Sequence, residues 1–175
     1  GNYVYSPSDL TQYLQSEFAS WMERLYLEYP DRTPIPDNDD SMMGLLQDKG
    51  EEHEHAVLKS FVDQGLSVAN ISTVADKQQA TLAAMDAGAD IIFQAVLVKG
   101  PFKGYADFLV KTPGESNFGD YHYEVWDTKL SKSTRPYFLI QLCTYSWMLE
   151  SIQGTLPNEA VIVLGDRKQD KYRIA

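Results

Sequence analysis

A single cysteine, Cys143, stands in 175 residues, which excludes an internal disulfide and leaves no thiolate set for an iron–sulfur cluster of about four cysteines. A reducing cytoplasm is therefore the expected compartment. Apolar runs are short: none nears the roughly 18 residues that span a bilayer. No basic leader precedes an apolar stretch, so neither a membrane partner nor secretion is expected. Positive charge is also scarce. Fifteen Lys and Arg face 25 Asp and Glu, net −10, which argues against a partner built of phosphates, because nucleic-acid binders gain affinity from basic side chains. The distribution softens this. Residues 1–98 hold 5 basic and 16 acidic side chains, whereas residues 99–135 hold 6 and 5. An initial Met is missing too: the chain opens at Gly1 and stops at Ala175, so a longer native polypeptide is expected.

What is present is ordinary globular composition, 43% hydrophobic and 23% charged, on a length suited to one core, hence a single domain over 1–175. Ser6-Pro7-Ser8-Asp9 ahead of Leu10, Tyr13, Leu14, Phe18, Trp21 and Leu25 predicts a capped helix to about Tyr29. Residues 30–40 read as a loop. A second helix is predicted from about Ser41 to Asp63 with Gly65 as its stop, and a third from about Asp76 to Asp86. The signal then turns to strands: 91–98, 104–111 and 121–130, the last two joined by a loop over 112–120. A helix over 137–151 and a strand over 160–164 complete the expected order.

Within the 121–130 strand, the two-residue period puts Tyr123, Val125, Asp127 and Lys129 on one face. Taken alone, an Asp-x-Lys in a strand is most often a surface ion pair. Asp107 is harder to explain that way, because it interrupts an apolar run from Tyr105 to Val110, where a charge is costly unless paired or bound to metal. If the 112–120 loop closes a hairpin, Asp107 lies near-opposite Val125 and diagonal to Asp127. Two carboxylates so placed bracket a divalent cation, and Lys129 holds the attacking water or the charge that develops on a phosphate. On the second helix, about 100° per residue puts His53 on the stripe of Met42, Leu46, Gly50, Val57 and Phe61, Glu54 on its flank, and His55 on the water side. A His on such a stripe is more often a hydrogen-bonded core residue than a ligand. Gln141 and Tyr145 share one face of the later helix, one turn apart.

The series Ser6-Pro7-Ser8-Asp9-Leu10, Gly50-x-x-His53-Glu54, Gly104-x-x-Asp107, Tyr123-Glu124-Val125-Trp126-Asp127-Thr128-Lys129-Leu130 and Gln141-Leu142-x-x-Tyr145 resembles RecB-like nucleases of the PD-(D/E)xK superfamily. The resemblance spans nearly the whole chain in order. It implies an α/β fold, a restriction-endonuclease-like core with a central mixed sheet flanked by helices in α-β-β-β-α-β order. It further implies that His53, Asp107 and Asp127, with the backbone carbonyl of Thr128, ligate Mg²⁺ or Mn²⁺. Lys129 is then the catalytic lysine, Gln141 and Tyr145 line the site, and Glu54 is an auxiliary acid. The implied activity is hydrolysis of phosphodiesters, in DNA, during repair, recombination or end processing, with a helicase domain as a possible neighbour in the same polypeptide. Two other readings stay open: a silent nucleic-acid-binding module of this fold, and a metal-dependent hydrolase of a small phosphorylated substrate.

Overall fold

The computed structural model describes residues 3–31 and 40–175. Helix α1 (Pro7–Gln15) starts as its sequence predicts. Ser6 accepts from the Asp9 N–H while the Asp9 side chain accepts from the Ser6 N–H, and Pro7 occupies the first turn, where its missing donor is no loss. The single helix expected to Tyr29 is two. Ser16 takes an extended conformation (φ −158°, ψ 104°) and caps α2 (Glu17–Glu28) by accepting from the Ala19 N–H. Helix α3 (Asp40–Asp63) ends just before Gly65, which turns the chain at φ 78°. Strand β1 (Val68–Asn70) and helix α4 (Lys77–Asp86) follow, then β2 (Ile91–Lys99), β3 (Phe102–Ser116), β4 (Gly119–Thr128), α5 (Pro136–Gln153), β5 (Glu159–Val163) and β6 (Gln169–Arg173).

The six strands form one mixed sheet in the order β1-β2-β3-β4-β5-β6, parallel at β1/β2 and β4/β5 and antiparallel elsewhere. Helices α4 and α5 cover one face, where Met85, Leu142, Met148 and Leu149 bury Ile92, Leu109, Tyr123 and Val125. Helix α3 covers the other, with Phe61 edge-on to both Phe108 and Trp126. An α/β fold with a mixed sheet between helices is thus as expected.

Besides the split first helix, three elements differ from the reading of the sequence. Strand β1 is only three residues long, and β6 has Tyr172 as its one apolar side chain, so neither carries an apolar alternation. The segment 112–120 is mostly ladder rather than loop: Thr112 pairs His122, Pro113 pairs Tyr121, and the turn closes at Ser116 and Gly119. A register shift between Pro113 and Ser116, with Gly114 at φ 147°, accommodates the proline within a strand.

Candidate active site

Because the hairpin closes at Ser116 and Gly119 rather than around a 112–120 loop, the register is displaced by two residues from the one expected. Phe108 pairs Trp126, so the next step outward sets Asp107 across from Asp127, not Val125. There the strands part. Strand β3 continues against β2, while β4 continues against β5 through Thr128–Val163 and a 3.0 Å bond from the Lys129 N–H to the Val163 carbonyl. The Asp107 side chain spans the fork, its Oδ2 accepting from both the N–H and the hydroxyl of Thr128 at 2.8 Å.

Asp127 is only 3% exposed, so its contact with Lys129 is no surface ion pair. Its Oδ2 lies 2.9 Å from Lys129 Nζ, an ion pair without hydrogen-bond alignment. Lys129 Nζ instead donates to Gln141 Oε1 at 2.9 Å, which ties the end of β4 to α5. Tyr145, one turn further along α5, is buried against Gly104. A methyl group on that glycine would stand 2.8 Å from the Tyr145 ring and 2.7 Å from Pro7. The Gly104-x-x-Asp107 spacing is therefore a packing requirement at one end and a buried carboxyl at the other.

The electrostatics tie three acids together. Desolvation raises the Asp107 carboxyl well above its ordinary range, and the charges of Asp127 and Glu54, together with a side-chain hydrogen bond to Asp127, push it further. The Thr128 N–H opposes them. Glu54 on α3 is raised too, first by burial and then by Asp127 and Glu51, against the Gln94 amide and His55. For Lys129, burial works against the ammonium, but the Asp127 and Asp107 carboxylates prevail and its pKa is raised. Burial, then the same two acids, raise Tyr145, which keeps its phenol proton.

The helical phase read from α3 holds in its second half: Val57 and Phe61 are buried, His53 is half-buried and His55 is exposed. Met42 and Leu46, placed on the same stripe, are exposed. The His53 Nε2 lies 3.0 Å from the Val163 carbonyl, while His55 packs its ring edge-on to Phe93. Thr128, expected as a ligand through its carbonyl, meets Asp107 through its N–H and hydroxyl. Among the described residues, no group of three or more His, Cys, Asp and Glu side chains stands arranged to hold a metal ion. Asp107, Glu54 and His53 are each engaged by protein partners.

One participant escaped the sequence reading. Gln94, in the middle of β2, donates its amide to Glu54 Oε1 and has a positive φ of 57°. Its only sequence signal is a lone polar residue inside the apolar run Ile91–Val98. No protein-family model matches the chain, and no significant match to a curated protein is found.

Proposed function

We propose that this chain is a divalent-metal-dependent nuclease domain of the RecB-like, PD-(D/E)xK kind, hydrolysing phosphodiester bonds in DNA. The observation that carries this reading is the β3/β4 fork, where Asp107 and Asp127 meet with Lys129 beside them. A fully buried carboxylate oxygen with a lysine nearby and no hydrogen bond of its own suits a hard cation. In this reading Asp107 and Asp127 hold Mg²⁺ or Mn²⁺, with Thr128 and His53 completing the set. The His53 Nε2 bond to Val163 leaves Nδ1 as the ring nitrogen able to ligate, and a ligating imidazole commonly donates its other N–H to a backbone carbonyl. The ion supplies Lewis acidity at the phosphate.

The chain's own groups do the rest. Lys129, kept charged by its two acids and aimed by Gln141, offers an ammonium to the attacking water or to the phosphate oxygens as negative charge grows. Tyr145 offers a phenol O–H that its surroundings keep protonated. The test is cleavage of plasmid, linear and single-stranded DNA with Mn²⁺ or Mg²⁺. Asp107→Ala, Asp127→Ala and Lys129→Ala are each expected to abolish cleavage while the domain stays folded by circular dichroism. Retained activity in any of them removes that residue from the mechanism. The net charge of −10 favours one other substrate, a small phosphorylated molecule. Hydrolysis of bis-p-nitrophenyl phosphate with no cleavage of any DNA would select it.

A further inference from the structure

Gln94 stands in the left-handed region, at φ 57°, at the centre of a strand. Glycine takes that conformation freely and asparagine readily, whereas a longer L side chain is strained there. Such strain persists where the surroundings overdetermine it, and it gathers at functional sites. The position is specific. Phe93 pairs Phe108 and Ala95 pairs Ala106, so the residue opposite Gln94 is Asp107. Both strands change phase at this one step. Phe93 and Phe108 pack in the core under α3, while Ala95, Leu97 and Ala106, which simple alternation would divide otherwise, pack in the core under α5. At the kink, the Gln94 Nε2 donates to Glu54 Oε1 on α3.

We propose that Gln94 is a positioning residue of the candidate active site: the paired kink at Gln94 and Asp107 turns its amide onto Glu54 and holds that carboxylate beside Asp107 and Asp127. The inference rests on the metal-dependent reading above. Gln94 acts through Glu54, not on substrate. Without the amide, Glu54 loses a hydrogen bond and regains its rotamers, so its carboxylate is no longer fixed relative to Asp107 and Asp127.

The test is calorimetric titration of the full chain with MnCl₂, alongside thermal denaturation. The proteins are the parent, Gln94→Gly, Gln94→Asn, Glu54→Gln and the double variant Gln94→Gly/Glu54→Gln. Gly relieves the backbone, and Asn keeps an amide one methylene too short to reach Glu54. Gln94→Gly is expected to melt no lower than the parent yet bind Mn²⁺ about tenfold or more weakly, the usual effect of removing an outer partner of a metal site. Gln94→Asn should show the same loss, and in the Glu54→Gln background the Gly change should add nothing. Parent-like Mn²⁺ affinity in either Gln94 variant, or losses that multiply in the double variant, overturns the proposal. If Gln94→Gly melts lower than the parent, the Asn variant decides by the same criterion. A parent that shows neither Mn²⁺ binding heat nor a melting shift defeats the metal-dependent reading itself, and this inference with it.

Discussion

Asp107 sits where its own proton and the Thr128 donors compete for one carboxyl, the carboxyl to which the proposal above assigns a cation, and this sets how the domain responds to pH. Its pKa is raised in the fold, so the folded state holds its proton over a range where the unfolded chain has released it. Stability from this group is therefore lost as pH rises from about 4, the ordinary carboxylate value, through the raised one. Asp90 has the opposite sign: the Lys111 and Ser67 partners lower it to about 2, so its contribution is present at neutral pH and lost in strong acid. In melting curves taken in chelator, Asp107→Asn should flatten the parent's decline above about pH 4 and leave the acid limb unchanged. Equal slopes in parent and variant would show that Asp107 is not protonated in the fold. Asp127→Asn tests the neighbouring acid. Removing its charge relieves Asp107 but takes from Lys129 the carboxylate 2.9 Å away, so the metal-free melting temperature should stay close to that of the parent. An ion that binds only the folded state adds RT ln(1 + [L]/Kd), about 2.7 kcal/mol at roughly 100 times Kd. Mn²⁺ should therefore raise the parent's melting temperature by several degrees and the variant's hardly at all. An equal rise in both would remove Asp127 from the ligands.

Elements meet at the site through two close approaches. Gly104 on β3 lets α1 and α5 press on the strand together, since a methyl group there would stand 2.7 Å from Pro7 and 2.8 Å from Tyr145. Overpacking of this sort costs about 1–3 kcal/mol. Gly104→Ala is thus expected to lower the melting temperature and to weaken cleavage together, because the backbone or Tyr145 must give way. A variant that melts and cleaves like the parent would mean that α1 is free to move off the strand. At the other end of the site, the Lys129–Gln141 bond couples β4 to α5, and the His53–Val163 bond couples α3 to β5. Asp107, Asp127 and, just past the end of β4, Lys129 are therefore held in a sheet locked between helices on both faces.

For the whole molecule, charge works against the substrate proposed. The negative excess lies in residues 1–98, net −11, whereas the 99–135 segment that carries Asp107, Asp127 and Lys129 is net +1. Binding of a DNA oligonucleotide, followed by fluorescence anisotropy in Ca²⁺ to prevent turnover, should be weak at physiological salt and fall steeply as salt rises. Tight, salt-insensitive binding would contradict the charge argument. The uncovered apolar surface is also uneven. Phe18, Trp21 and Leu27 on α2 and Met42, Met43, Leu45 and Leu46 on α3 are all exposed, whereas α5 buries eight residues.

Side-chain period and capping chemistry are local, and the sequence by itself determined what depends on them. Ser6 and Asp9 cap a helix, Asp127 and Lys129 share a face, His53 turns inward and His55 outward, and Gln141 and Tyr145 lie one turn apart. These follow from neighbours a few residues away. The split at Ser16 was less legible, since a serine is tolerated within a helix and only its backbone angles reveal the break. Register is not local. Whether Asp107 faces Val125 or Asp127 depended on where the β3/β4 hairpin closes, and Pro113 and Gly114, which read as loop residues, lie within the ladder because a register shift accommodates them. The positive φ of Gln94 likewise goes with a tertiary setting, opposite Asp107 and bonded to Glu54 on a helix 40 residues away, so no local preference announces it. The acids are in the sequence; that they meet is a property of the sheet.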